Sequence, residues 1–300
     1  MVCMGFSLVD NGATLASADG GGLEKNDIGP GMPDGTPKGI LDPRAMARRF
    51  ALRRHPPPPA LAPFVEYLWV VEWDLGGAPA QVQRVLPYPH AHLVFESGAS
   101  ALHGIVRGPF DKVLAGSGRA VGVRFRAGGQ RPWWTGAAAS LTGRIVPLAE
   151  LSGIDGAAAE RQVLGAADDA GVIGAVHALL APAAAMARPD PRAALAQQAL
   201  DAAAAQHGPG SVAMLAAAVG LPERGLQRLF RDQVGVPPKW VVQRYRLQEA
   251  AALLAGPACP DLAGLAQRLG FFDQAHLTRA FTALVGRSPL AYWKGQMAGA

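Results

Sequence analysis

The C-terminal third of the chain contains one pattern twice, and this repeat restricts its fold more than any other feature. In each copy, an apolar stripe with helical spacing leads through a glycine to a second apolar stripe. Gly220 and Gly270 allow a tight turn between the two stripes. The repeat therefore predicts two helix–turn–helix units, at about 211–234 and about 261–285. The aligned apolar pairs are Val212/Leu262, Leu215/Leu265, Ala216/Ala266, Val219/Leu269, Leu226/Leu277, Leu229/Ala280, Phe230/Phe281 and Val234/Val285.

One helix is predicted to connect the two units, at about 238–255. It lies between Pro237-Pro238 and Gly256-Pro257, which are typical start and stop signals. A helix of this length spans roughly 27 Å, compared with about 34 Å for one turn of B-DNA. The connection would therefore hold the second helices of the two units near successive major grooves, on one face of a duplex.

The basic surplus of the chain lies in the same region. From residue 192 onward there are eleven Lys or Arg and six Asp or Glu, whereas the preceding residues contain seventeen of each. A localised positive charge of this kind indicates a polyanionic partner. The alternative is an ordinary solvated surface.

Three segments of this region resemble a known family. The connecting helix contains Arg246-Leu247-Gln248-Glu249-Ala250, the second unit contains GFFDQAHLTRAF at 270–281, and GRSPLAYW follows at 286–293. Through these segments, residues 192–296 resemble the DNA-binding domain of AraC/XylS-type transcription regulators. Ala275 and Leu277 stand where Ser and Phe are common in that family. The resemblance implies double-stranded DNA as the partner and regulation of transcription as the function.

The second helix of each unit is predicted to read bases, because this helix enters the major groove in helix–turn–helix proteins. Arginine can pair with guanine and glutamine with adenine, and an alanine methyl group can meet the methyl group of thymine. The residues left free by the apolar stripes are the candidates. They are Arg224, Gln227 and Arg228 in the first unit, and Gln274, Ala275, Thr278 and Arg279 in the second.

Phosphate contacts are expected from helix N-termini and from nearby hydroxyl and basic groups. The candidates are Ser211, Arg231, Lys239, Arg246, His276 and Ser288. Two of them have an alternative role. Arg246 could be held in a structural salt bridge within the connecting helix, and His276 could cap the end of its helix.

The residues before the repeat predict a different kind of structure. Residues 1–55 are interpreted as a disordered extension, rich in Gly, Asp and Pro, and a linker with the basic cluster Arg48, Arg49, Arg53 and Arg54. Strands are predicted at 64–75, 81–86, 92–96, 102–106 and 120–125, and helices between 128 and 185. The predicted fold class is therefore α+β with two domains. A small β-barrel or sandwich with covering helices occupies 56–185, and an all-α double helix–turn–helix domain occupies 192–296.

The β-rich region is also similar to the N-terminal domain of many uncharacterised regulators of the same family. The similarity rests on Tyr67-Leu68-Trp69, Leu86-Pro87, HLVF at 92–95, GVRFRAGG at 122–129 and LTGR at 141–144. It implies a domain that senses an effector or mediates self-association. A small-molecule effector, a second copy of the chain and RNA polymerase are therefore the further partners to consider.

Aromatic and polar residues of this region predict an effector pocket. Tryptophans can line an apolar pocket, and a charged side chain can anchor its ligand. The candidates are Trp69, Trp73, Glu96, Arg124, Trp133 and Trp134. The alternative is that the aromatic residues belong to the core.

Other classes of site have little support in the sequence. His90, His92 and His103 could bind a metal, but a carboxylate ligand is missing from the pattern, and neither a metal nor a cofactor is predicted. Cys3 and Cys259 are far apart, which fits a reducing, cytoplasmic compartment. Neither a signal peptide nor a membrane span of about 18 apolar residues is predicted. The alternative function is an enzyme or small-molecule-binding protein that uses the helical region as a scaffold, but the sequence contains none of the catalytic motifs considered.

Overall fold

The structure is a computed structural model that describes residues 50–205, 208, 210–258 and 260–298. Residues 1–49 of the extension and linker predicted for 1–55 lie outside this part of the chain. The described part of the N-terminal half contains eight strands: β1 Phe50–His55, β2 Val65–Asp74, β3 Gln81–Val85, β4 His92–Glu96, β5 Ala101–His103, β6 Phe110–Leu114, β7 Ser117–Phe125 and β8 Ile145–Pro147. The sequence analysis missed β6 and β8, and it placed β5 too far along the chain.

The first strand corrects the prediction of a linker at 50–55. All six residues of β1 pair antiparallel with β2, from Phe50 opposite Trp73 to His55 opposite Leu68. Arg53 donates hydrogen bonds to Glu72 and Asp169, at 2.7 Å each. The linker prediction was wrong here because the arginine has acidic partners on two other elements, so it is not a solvated charge.

Six of the strands form one antiparallel sheet in the order β1-β2-β7-β4-β5-β8, and β3 and β6 form a separate two-stranded sheet. The sheet does not close into a barrel, so the sandwich is the correct one of the two predicted architectures. Side chains alternate between its faces. Leu68, Val70 and Val123 face the covering helices, whereas Trp69 and Val71 face the β3–β6 sheet.

Two helices cover the first face, as predicted: α1 Gly156–Leu164 and α2 Asp169–Met186. Helix α2 has 18 residues and a mean hydropathy of 1.4, which makes it long and apolar enough to cross a membrane. The sequence analysis did not predict this. One such helix is weak evidence of a membrane span, because core helices pass the same test. Val172, Val176 and Leu180 of α2 are buried against the sheet.

Seven helices follow: α3 Pro191–Ala205, α4 Val212–Ala218, α5 Glu223–Gln233, α6 Pro238–Leu254, α7 Leu262–Arg268, α8 Gln274–Val285 and α9 Pro289–Ala298. The pairs α4–α5 and α7–α8 are the two predicted helix–turn–helix units, and α6 connects them. Gly220 and Gly270 have φ angles of 65° and 68°. Each therefore makes the turn in the left-handed conformation that favours glycine.

Candidate nucleic-acid interface

The second helix of each unit buries its apolar stripe and leaves the predicted base-contacting residues at the surface. In α5 the buried residues are Leu226, Leu229, Phe230 and Gln233, and in α8 they are Leu277, Phe281, Leu284 and Val285. Of the seven predicted base contacts, only Thr278 is half-buried. The other six are exposed: Arg224, Gln227, Arg228, Gln274, Ala275 and Arg279. The structure thus presents the residues that the sequence analysis singled out on two separate helix faces.

The start of α8 is fixed by local hydrogen bonds. The Asp273 carboxylate accepts a hydrogen bond from the His276 backbone N–H at 2.6 Å. The Phe272 N–H lies 3.4 Å from Nδ1 of His276, and the His276 ring meets the edge of Phe271. These contacts favour the capping role for His276 over the phosphate contact. They also hold the N-terminal half of α8 in place, where Gln274 and Ala275 are exposed.

Two predicted phosphate contacts also act as helix caps. The Ser211 hydroxyl accepts a hydrogen bond from Met214 N–H at 3.1 Å, and the Ser288 hydroxyl accepts one from Ala291 N–H at 3.2 Å. In both cases the oxygen is the acceptor, so these two bonds do not use the hydroxyl as a donor. Arg231 and Lys239 are exposed, as a phosphate-contacting residue must be.

Arg246 has a structural role that corrects its prediction as a phosphate contact. Its Nη1 donates to the Gly270 carbonyl at 2.9 Å, and its Nη2 donates to the Gly210 carbonyl. Burial lowers the pKa of this guanidinium. Neither partner is a carboxylate, so the alternative of a salt bridge is not what the structure shows either. Arg246 joins the start of the first unit to the turn of the second.

One exposed residue near this surface was missed. Phe272, directly before the cap of α8, is 92% exposed. The sequence analysis treated it only as part of the family motif. The sequence did contain a signal for this exposure: Phe272 aligns with Pro222 of the first copy, at a position outside both apolar stripes.

The six predicted effector contacts do not form one pocket. Trp69 and Trp73 pack in the cluster between the two sheets, whereas Trp133 and Trp134 belong to the cluster under the helices. The main sheet lies between the two pairs. The prediction of a joint pocket was therefore wrong. Trp69 and Trp133 are buried in the two cores, and Trp73 and Trp134 pack against these cores and are partly exposed.

The two charged members of the set have internal partners. Glu96 pairs with Lys112. Arg124 is 4% exposed, lies 3.0 Å from Glu66 and donates to the Tyr67 hydroxyl at 2.8 Å. Although burial disfavours its charge, Tyr67 and Glu66 raise the pKa of Arg124 above its ordinary value. Arg124 is thus a buried cation within the sandwich.

The three histidines considered for a metal site are buried, with His92 and His103 on neighbouring strands and His90 just before β4. His92 and His103 are cross-strand partners, and His92 Nδ1 accepts a 3.3 Å hydrogen bond from Trp69. Burial lowers the pKa of His92 and His90 well below the ordinary value, and that of His103 to about 4. Within residues 50–298, as far as the structure describes them, no three His, Cys, Asp or Glu side chains are grouped to hold a metal ion.

A cavity of about 450 Å³ lies between the β-rich domain and α3. One wall consists of Pro63, Phe64 and residues 126–129, 131 and 132, and the other of residues 187–190 and one side of α3. The charged residues at its rim are Arg126, Arg131, Arg188, Asp190 and Asp201. None of the six predicted effector contacts lines it.

Two families of known domains match the chain. Residues 215–295 match the family described as a helix-turn-helix domain, and residues 53–147 match a domain of unknown function, DUF6597. A probable transcriptional regulator, LumQ of Photobacterium leiognathi, is 38% identical over 82 residues. Residues 215–295 are therefore a helix-turn-helix domain, as the sequence analysis predicts. The match to LumQ covers 27% of this chain and 33% of that protein, so it spans about a third of the relative's length.

Three solved structures are also similar to the chain. A transcriptional regulator with an AraC-type DNA-binding domain from Chromobacterium violaceum is 22% identical, with 34% of this chain and 92% of that chain covered and a TM-score of 0.32. A probable AraC family regulator from Rhodopseudomonas palustris is 26% identical, with 34% and 97% covered and a TM-score of 0.32. ToxT from Vibrio cholerae is 10% identical, with 84% and 100% covered and a TM-score of 0.36. These TM-scores indicate a distant likeness.

Proposed function

We propose that this protein is a sequence-specific DNA-binding regulator of transcription. The observation that carries the proposal is the doubled helix–turn–helix, in which α5 and α8 each expose arginine and glutamine side chains that can pair with bases. Both units are attached to one rigid helix, α6. This arrangement supports a regulatory rather than a catalytic role for the protein, as the resemblance to the AraC/XylS family implies.

The electrostatics of the C-terminal domain support the proposal. The positive surplus lies from residue 192 onward, and Arg224, Arg228 and Arg279 are exposed on the recognition helices. Binding that neutralises DNA phosphates releases counterions, so affinity falls steeply with salt. The 17 residues of α6 span roughly 26 Å, which suits two helices in successive major grooves of one duplex face.

The cavity between the two domains supports an effector-responsive regulator. Its volume of about 450 Å³ lies within the range of small-molecule sites, which often occur at domain interfaces. A molecule bound there would contact α3, which leads into the first helix–turn–helix unit. We further propose RNA polymerase and a second copy of the chain as binding partners. We also propose a cytoplasmic location, as expected for a regulator of this family.

DNase footprinting tests the central claim. The probes are the DNA upstream of the protein's own gene and of its neighbours, at low and at moderate salt. We expect one protected site that covers two successive major grooves on one face. Absence of a protected site at low salt, with protein that unfolds cooperatively, would contradict the proposal. Thermal-shift screening of the full chain against metabolites tests the effector, because a ligand of the folded state raises the unfolding temperature.

A further inference from the structure

The two helix–turn–helix units have separate hydrophobic cores. The first core includes Leu215, Leu226 and Phe230, and the second includes Leu265 and Phe281. Since the cores are separate clusters, the packing inside each unit does not fix the angle between them. The relative position of α5 and α8 must therefore depend on α6, on Arg246 and on whatever else touches both units.

The β-rich domain touches both units. Ile105 and Ala127, from this domain, are members of the first core, and Leu86, which directly follows β3, is a member of the second. The same domain also reaches the connecting helix, where the Arg107 carbonyl accepts a 2.8 Å hydrogen bond from Arg244. The first unit, the second unit and the connecting helix α6 are thus all in contact with the β-rich domain.

The C-terminal end of α5 is held by several polar contacts from the β-rich domain. Gly128 N–H donates to the Gln233 carbonyl at 2.7 Å, and the Thr142 hydroxyl donates to the Gly235 carbonyl at 2.7 Å. Arg131 adds a 2.8 Å ion pair with Asp232. Because the last carbonyls of a helix lack partners inside the helix, these bonds satisfy groups that water would otherwise solvate.

The C-terminal end of α8 is held by one side chain. Arg84 of β3 donates from Nη1 to the Val285 carbonyl at 3.0 Å. Its Nε and Nη2 form a bidentate pair with Asp111 of β6, at 2.6 and 2.5 Å. Arg84 and Asp111 are opposite each other across the β3–β6 ladder. The pair with Asp111 therefore orients the guanidinium for its contact with the helix. A cation at a helix C-terminus is also favoured by the helix dipole.

We propose that the β-rich domain is a clamp that sets the relative orientation of the two recognition helices, with Arg84 as a positioning residue for DNA reading. The inference rests on the proposed function. It assigns the domain a role in choosing the spacing between the two halves of the DNA site. The contact to α5 consists of several bonds from different residues, whereas the polar contact to α8 described above depends on one half-exposed guanidinium. Loss of Arg84 should therefore loosen the second unit selectively.

The test uses the full-length chain and DNA probes in which one base pair is inserted or removed between the two half-sites. Each change moves one half-site by about 3.4 Å and rotates it by about 34° relative to the other. We expect the wild-type protein to lose affinity about tenfold or more on the altered probes. Arg84→Ala should reduce this difference by about threefold or more, which lies within the range expected for coupling through a contact network. Asp111→Asn, which leaves Arg84 without its bidentate partner, should give a smaller change in the same direction.

Val82→Ala is the matched control, because Val82 is 65% exposed on the same strand and should keep the wild-type spacing preference. Hydrogen exchange gives a readout that does not need DNA: Arg84→Ala should speed exchange in the last turn of α8 but not in α5. Unchanged spacing preference and unchanged exchange in a folded Arg84→Ala protein would overturn the clamp. A wild-type protein that binds no specific site would contradict the proposed function instead, and the exchange result would still decide on the clamp.

Discussion

Gly128 donates its backbone N–H to the carbonyl oxygen of Gln233, at 2.7 Å, and thereby joins the β-rich domain to the end of the first recognition helix. Gly128 has a φ angle of 67°, and a Cβ at this position would lie 2.1 Å from Oε1 of Gln233. The junction therefore requires glycine for two reasons, the backbone conformation and the close approach of a buried side chain.

Gly128→Ala should destabilise the protein by about 2–4 kcal/mol, from strain at positive φ together with overpacking. Gly143→Ala is the matched control, because Gly143 has a φ of 74° but no atom within 4 Å of the added methyl group. It should cost about 1–2 kcal/mol from strain alone. Urea unfolding of both variants measures the difference. Equal losses would show that the approach of Gln233 has no energetic consequence.

Arg279→Ala should weaken binding to the specific site by roughly 1–3 kcal/mol and relax discrimination at one base pair. The physical reason is that an exposed guanidinium near the N-terminal half of α8 can form a bidentate pair with guanine. Competition binding against a set of single-base variants measures both effects. Arg161→Ala, an exposed arginine of α1, is the control and should leave binding unchanged. An equal loss on specific and random DNA would indicate a phosphate contact for Arg279.

Arg246→Ala should lower stability by roughly 1–3 kcal/mol, since it leaves two carbonyl acceptors without their charged donor. Lys239→Ala should leave stability nearly unchanged but reduce the slope of log affinity against log salt by about 1, as expected for a phosphate contact. Denaturant unfolding and salt titrations of both variants separate the two roles. If Arg246→Ala changed the salt slope without changing stability, the structural assignment would fail.

Asp169 should contribute a pH dependence to stability. Its hydrogen bond from Arg53 holds the pKa of the carboxyl below its ordinary value, against the opposing effect of burial. A lowered pKa in the folded state means that the contribution is complete above the ordinary value of about 3.9 and is lost as the pH falls below it. Asp169→Asn should therefore lose less stability than the wild-type protein between about pH 5 and pH 3. Urea unfolding across that window is the measurement, and parallel curves for the two proteins would exclude the contribution.

The local parts of the candidate interface could be predicted from the sequence. Helical spacing predicts the buried stripe of Leu277 and Phe281 and the exposed face with Arg279, because neighbours on a helix surface are three or four residues apart. The turn follows from the glycine at position 270. The caps that involve Ser211 and His276 also depend on residues within four positions of each other. Such relationships are visible in the sequence without knowledge of the tertiary structure.

The roles that depend on distant partners could not be predicted. Arg53 was assigned to a linker because Asp169, its partner, is far away in the sequence. Alternation along β2 separates Trp69 from Leu68, but it does not reveal that helices cover one face and a second small sheet covers the other. The prediction of a joint effector pocket was wrong for this reason.

The sequence by itself determined the two helix–turn–helix units and the residues on their exposed faces, because repeated local periodicity encodes both. Only the tertiary structure decided how the units are held relative to each other. Leu86 in the second core, Gly128 at the end of α5 and Arg84 at the end of α8 come from a domain whose contacts cross long stretches of the chain. Contacts of this kind depend on how whole elements pack, and the spacing of residues along one element carries no record of them.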